Sequence, residues 1–172
     1  MAIETVYVLG ASQLTISNGA VLSGFTQGDG SHLVGETITL NSNAWQPVTI
    51  NDDDSTFDDS ENGQELDVAQ TVDGIAYGAG ARVEAEYRLT LQDPDGITYE
   101  AIGVNFNEGG SGPAFGTVEG LTFVGSFPPL DEPLEVVNAQ EGGSTPYADL
   151  AAPPCFVAGS LIDTPAGPVA VE

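Results

Sequence analysis

Apolar and polar residues alternate along most of this chain with a period of two, and no stretch holds the 3.6-residue period of a long helix. The clearest run covers residues 81–92. Val83, Ala85, Tyr87, Leu89 and Leu91 fall on one face, and Arg82, Glu84, Glu86, Arg88, Thr90 and Gln92 on the other. Successive side chains of an extended strand point to opposite faces, so this run is a half-buried strand with one wet face. Asp93-Pro94-Asp95-Gly96 follows as a type I turn, with Pro preset at the second position and Gly free to take positive φ. The alternation resumes at Ile97-Thr98-Tyr99-Glu100-Ala101, which predicts a hairpin. Its register sets Leu91 against Tyr99, Leu89 against Ala101 and Tyr87 against Gly103, because that register keeps the apolar faces together.

Further strands are predicted over residues 3–9, 13–16, 33–40, 48–50, 65–72, 104–106, 117–124 and 134–138. Asn18-Gly19, Gly28-Asp29-Gly30 and Asp73-Gly74 punctuate them, as does the Gly- and Ser-rich run 109–113. Many short strands with frequent turns predict an all-β fold, an antiparallel β-sandwich of jelly-roll-like form with long acidic and Gly/Pro-rich loops. No internal repeat is present, which argues against solenoids and propellers. Residues 126–133 and 142–154 are Pro- and Gly-rich connectors. The domain body is therefore expected over residues 1–150, with a linker at 151–154 and a separate segment at 155–172.

Charge narrows the partners. The chain has 26 acidic residues against two cations, Arg82 and Arg88, and a formal net charge of −24. A field of that sign repels phosphate backbones and anionic headgroups, so nucleic acid and acidic membrane surfaces are excluded as partners. No run reaches the roughly 18–20 apolar residues of a membrane span. The start, Met1-Ala-Ile-Glu-Thr, lacks the basic and apolar regions of a signal peptide. One cysteine allows no intramolecular disulfide, which suits a cytosolic protein or one exported without disulfides. The carboxylates themselves admit two readings: solubility in a salty medium, or calcium binding outside the cell.

The acid is densest at residues 51–62, NDDDSTFDDSEN. Asp58, Ser60 and Asn62 at alternate positions, followed by Gly63, resemble the start of an EF-hand loop. The twelfth position, which needs a bidentate carboxylate, is Ala69, and no helix pattern flanks the loop. A calcium site of another kind, set between β-loops, would use Asp52, Asp54, Asp58 and Asp59. His32 lies at a turn-to-strand boundary with no nucleophile or second ligand near it in sequence, and is expected to be exposed and structural. Trp45 is expected to cover a core or loop, although β-sandwich lectins also place such a residue in sugar sites.

The tail runs Cys155-Phe156-Val157-Ala158-Gly159-Ser160, then Leu161-Ile162-Asp163-Thr164, a Pro/Gly turn, and a second strand-like stretch ending Val171-Glu172. It resembles the opening block of the Hint (hedgehog/intein) fold in its bacterial form. The region upstream is similar to the N-terminal β domain that accompanies such modules. The resemblance implies that Cys155 is a nucleophile that attacks the preceding carbonyl and turns the amide into a thioester, so that Pro154–Cys155 is the scissile bond. The family's later Thr-x-x-His block is absent from these residues, so the chain is expected to carry no complete catalytic site and no cofactor beyond calcium.

Three functions follow as expectations. The resemblance makes the chain the passenger domain of a self-processing, exported bacterial protein, with the Hint segment truncated. A structural or adhesive surface module would self-associate or hold a surface partner. A calcium-dependent carbohydrate-binding module would gain stability with calcium or a glycan.

Overall fold

The computed structural model describes residues 2–24, 28–59, 61–107, 117–153, 161–164 and 167–170. Its strands in chain order begin with β1 (Ala2–Gly10), β2 (Leu14–Ile16), β3 (Thr37–Leu40) and β4 (Gln46–Asp52). The short strands β5 (Thr56–Phe57), β6 (Glu65–Leu66), β7 (Gln70–Val72) and β8 (Ile75–Tyr77) follow. Then come β9 (Arg82–Gln92), β10 (Thr98–Asn107), β11 (Gly120–Val124), β12 (Pro133–Glu141) and β13 (Thr145–Pro146). The last pair is β14 (Leu161–Thr164) and β15 (Gly167–Ala170). Every pairing is antiparallel.

The all-β antiparallel class expected from the sequence is the class that forms, and its main sheet is barrel-like. Hydrogen bonding passes β10–β11–β1–β4–β6–β9 and returns from β9 to β10, closing a ring; β12, β3 and β2 extend from β9 beside it. The long β9 makes this possible. It gives one edge to β10 and divides the other, pairing Arg82 with Glu65 of β6 and residues from Tyr87 onward with β12.

The β9–β10 hairpin has the predicted register: Leu91 faces Tyr99, Leu89 faces Ala101 and Tyr87 faces Gly103. Gly96 sits at φ 86°. Its N–H donates to the Asp93 carbonyl (3.0 Å), and the Asp93 side chain accepts from the N–H groups of Asp95 and Ile97. The register then shifts by one between Gly103 and Val104. A Cβ on Gly103 would lie 2.6 Å from the Tyr87 ring, so the glycine is what lets the buried tyrosine lie across the ladder.

Two apolar cores lie on the two faces of the β10–β11 pair. Ile102, Val104 and Phe106 join one core with Val6, Val48, Ile50, Phe57 and Tyr147, while Ala101, Leu121 and Phe123 join the other with Leu89, Leu91, Ile38 and Leu134. Burial on both faces explains the near-continuous apolar runs of these strands.

Three expected elements differ. The strand expected over 33–40 is only Thr37–Leu40; Ser31–Leu33 is a 3-10 turn flanked by Gly30 at φ 70° and Gly35 at φ 86°, backbone that no strand adopts. The strand expected over 65–72 is two, β6 and β7. The connector expected over 142–154 is tied down through Ala151: Thr145 pairs with Phe57, Leu150 bridges Val124, and the Ala151 N–H donates to the Phe123 carbonyl. Among the described residues no helix is long and apolar enough to cross a membrane.

Candidate metal centre

The acidic loop is anchored at its middle and at both ends. β4 delivers Asp52 to the interior with no exposure, and Phe57, equally enclosed, pins β5 against Tyr147 with ring centroids 6.0 Å apart. Beyond it the buried Gln64 carboxamide closes the loop, accepting from the Asp58 N–H (2.9 Å) and donating to the Asp58 carbonyl (3.0 Å). The Tyr147 hydroxyl reaches in from the C-terminal connector and donates to Asp52 Oδ2 at 2.6 Å. Burial, and next the Asp52 carboxylate, push the Tyr147 phenol upward, so it stays a donor.

Within this frame the carboxylates order the turn. Asp52 Oδ1 accepts from the Asp54 N–H (3.1 Å), and Asp54 Oδ1 accepts from the Thr56 N–H (2.7 Å). Thr56 Oγ1 lies 2.9 Å from Asp54 Oδ1 and 2.7 Å from Asp58 Oδ2, but its single proton can serve only one of them. Asp53 folds over Gly63, where a Cβ would stand 2.8 Å from Asp53 Oδ1. The glycine of the EF-hand-like stretch thus makes room for a carboxylate.

Glu61 is the hub. One oxygen each from Asp52, Asp53 and Glu61 lie within 4.8 Å of one another, and so do oxygens from Asp54, Asp58 and Glu61. Glu61 Oε2 is enclosed and has no hydrogen-bond partner among the described residues, although the residue as a whole is partly exposed. Burial, and then the charges of Asp52, Asp54 and Asp58, raise its carboxyl from 4.5 to about 7. The arginines are engaged elsewhere. Arg82 pairs with Glu84 at 3.1 Å and bonds Asn62 Oδ1, while Arg88 pairs with Glu100 at 3.3 Å and bonds Thr145.

Calcium takes about six to eight oxygens at roughly 2.3–2.6 Å, so two of its ligands stand at most about 5 Å apart. Both carboxylate triads meet that limit, and hard oxygen donors without nitrogen or sulfur suit calcium over transition metals. The residues present therefore fit such an ion. Comparison with known protein families, curated proteins and solved structures finds no match to this chain.

Of the residues expected from the sequence, Asp52, Asp54 and Asp58 gather here. Asp59 belongs to neither triad; its Cβ lies where a side chain on Gly142 would stand. Asp53 and Glu61 were missed, although both lie in the same acidic run and Gly63 marked the close approach to Asp53. Ser60, Pro154 and Cys155 lie outside the described residues. His32 is exposed, with Nε2 3.0 Å from the Val21 carbonyl and its ring edge-on to Tyr87. Trp45 covers the second core, stacked on Phe127 with centroids 3.9 Å apart and edge-on to Phe123.

Proposed function

We propose that this chain is an extracellular β module whose acidic loop takes up calcium among Asp52, Asp53, Asp54, Asp58 and Glu61. The observation that carries the reading is Glu61 Oε2, enclosed without a partner between two groups of like-charged oxygens. An ion there would neutralise a concentration of charge that no arginine of the chain offsets. Asp52, held by Tyr147, and Asp58, held by Gln64, would be the fixed ligands, and Asp53 and Asp54 the adjustable ones. The test is calorimetric titration with calcium, with magnesium as comparison. Saturable calcium uptake that vanishes in Asp52→Ala/Asp54→Ala supports the reading; no heat of binding at millimolar calcium rejects it.

A second reading concerns the tail. The backbone of Leu161–Thr164 pairs with Gly167–Ala170, and among the described residues this pair has no ladder to the main sheet. That arrangement is consistent with the opening hairpin of a Hint domain and with the β module as its passenger. In a protein carrying the whole domain, the Cys155 thiolate would add to the Pro154 carbonyl. The C–N bond would break as the C–S bond forms, and the released amine would take up a proton. Mass spectrometry of such a protein in added thiol should find cleavage at Pro154–Cys155, abolished by Cys155→Ala. An intact chain would reject this reading and leave the calcium reading untouched.

A further inference from the structure

A second site lies at the other end of β4. Gln46 and Asp52 begin and end that strand, which at a strand's rise puts them about 20 Å apart. Around Gln46 the surface opens into a hollow of about 600 Å³, lined by Gly10 at the end of β1 with Ser12 and Gln13 beyond it, by Ala44 and Trp45 leading into Gln46 at the start of β4, and by the Asp73-Gly74 turn. This is the size range of small-molecule sites, and its make-up is theirs as well: one aromatic surface and a few fixed polar groups.

The polar wall is held in place. Asp73 and Gly74 form the two-residue turn joining β7 to β8, both at positive φ (49° and 81°). That turn lays the Asp73 side chain against Gly10, where a Cβ would come within 2.5 Å of its carboxyl. Any side chain at position 10 would force the carboxylate to shift. Asp73 Oδ2 accepts from the Ser12 N–H (2.9 Å) and Oδ1 from the Ser12 hydroxyl, which leaves each oxygen a free lone pair. Gln46 Oε1 accepts from the Asp73 N–H at 2.9 Å, which commits the orientation of the carboxamide. Among the described residues its Nε2 has no hydrogen-bond partner, so two donor hydrogens are on offer beside a carboxylate. Trp45 is equally fixed, by the stack on Phe127 and the edge contact with Phe123.

We infer that this hollow is a binding site for a neutral oligosaccharide. A pyranose ring presents a flat C–H surface to an indole and pairs of adjacent hydroxyls at its edge. Such a pair can donate to Asp73 and accept from Gln46 Nε2 at once, and a preformed site avoids the entropy cost of ordering its own side chains. The carboxylate and the net charge of −24 exclude uronates, sulfated sugars and phosphates. The site shares no residue with the calcium cluster, so the two readings stand or fall separately.

Trp45 is the only tryptophan of the chain, so its emission reports on this hollow directly. The protein is titrated in chelator with maltotriose, cellotriose, mannotriose and triacetylchitotriose, with trigalacturonate as the anionic comparison and trilysine as the cationic one. A saturable emission change with at least one neutral trisaccharide is expected, with none from trigalacturonate. Gln46→Glu keeps the acceptor for the Asp73 N–H and removes the donor, and should weaken binding tenfold or more. Asp73→Asn, which tolerates the same backbone, should weaken it comparably. The inference is overturned if no neutral sugar changes the emission at tens of millimolar, if trilysine alone does, or if both variants bind as the parent does.

Discussion

Glu61→Gln is the perturbation that tests the metal centre most directly. With no ion bound, the Glu61 carboxyl holds its proton up to about pH 7 in the folded chain, against 4.5 for the ordinary group. A folded-state value raised in this way adds stability that is fully present below pH 4.5. That stability is lost as the pH rises through 7. The shift of 2.5 (7 less 4.5) at about 1.4 kcal/mol per unit sets a ceiling of about 3.5 kcal/mol, which solvent screening of this partly exposed group lowers. Glutamine has the shape of the protonated acid and cannot ionise. In chelator the variant should therefore match the parent at pH 4 and exceed it at pH 8, by up to roughly 7–14 °C in melting temperature for a chain of this size. Burial holds the Glu119 carboxyl near 7 as well, but that group is common to both proteins and cancels in the comparison.

Calcium should reverse the ranking. It binds the ionised carboxylate, so at a thousandfold excess over its dissociation constant it adds about 4.1 kcal/mol to the parent, more than the deficit. That gain should grow from pH 5 to pH 8 as protons cease to compete. The variant lacks a ligand and should gain little. Melting curves by circular dichroism at four pH values, with chelator and with calcium, read all of this. A parent–variant difference that stays constant across pH in chelator refutes the placement of Glu61, and an equal calcium gain in both proteins refutes its role as a ligand.

Asp59→Ala should leave the calcium-induced rise in melting temperature intact, whereas Asp52→Ala/Asp54→Ala should remove it, because only the latter pair belongs to the triads. Tyr147→Phe removes the donor to an enclosed carboxylate and should cost about 1.5–3 kcal/mol in urea unfolding; a loss below half a kcal/mol would mean that Asp52 finds another donor. Gly142→Ala would bring a Cβ to 1.7 Å from the Ala85 carbonyl oxygen, so the connector must lift off β9. A destabilisation of about 1–3 kcal/mol or more is expected, and an unchanged melt would show that the close approach is dispensable.

The parts of the fold readable from sequence were those fixed by local chemistry. The β9–β10 hairpin could be placed to the residue because alternation and turn residues agreed over a long run. The bulge after Gly103 could not, since it depends on the Tyr87 ring lying across a neighbouring strand. Strand 33–40 was overextended because Gly35 looks permissive in sequence, and only its φ of 86° shows that it turns the chain. The candidate metal centre was half readable. Composition drew attention to the run 51–62, but which carboxylates converge depends on Phe57 and Tyr147, a pair 90 residues apart that bury the middle of the loop.

That anchoring explains how a chain with 26 acidic residues and two arginines can fold around its own charge. Most of its carboxylates lie on strand faces or turns, where water solvates them, and both arginines are set on β9, the strand that joins the ring to its extension. In the acidic loop Asp53 and Asp54 reach water, but Asp52 and Glu61 Oε2 do not, and no arginine faces them. Phe57 and Tyr147 draw the loop inward for the sake of the first core, and Asp52 and Glu61 are drawn in with them. Apolar burial and charge separation therefore oppose each other at this one place, and protonation of Glu61 relieves the conflict only below about pH 7. A divalent cation would relieve it at neutral pH without surrendering the packing of Phe57. On this argument the ion's main work is to let the loop stay docked, so calcium should protect the amides of Phe57 and Tyr147 from hydrogen exchange more than those of the β9–β10 hairpin. Uniform protection across the chain would show instead that the ion acts on global stability alone.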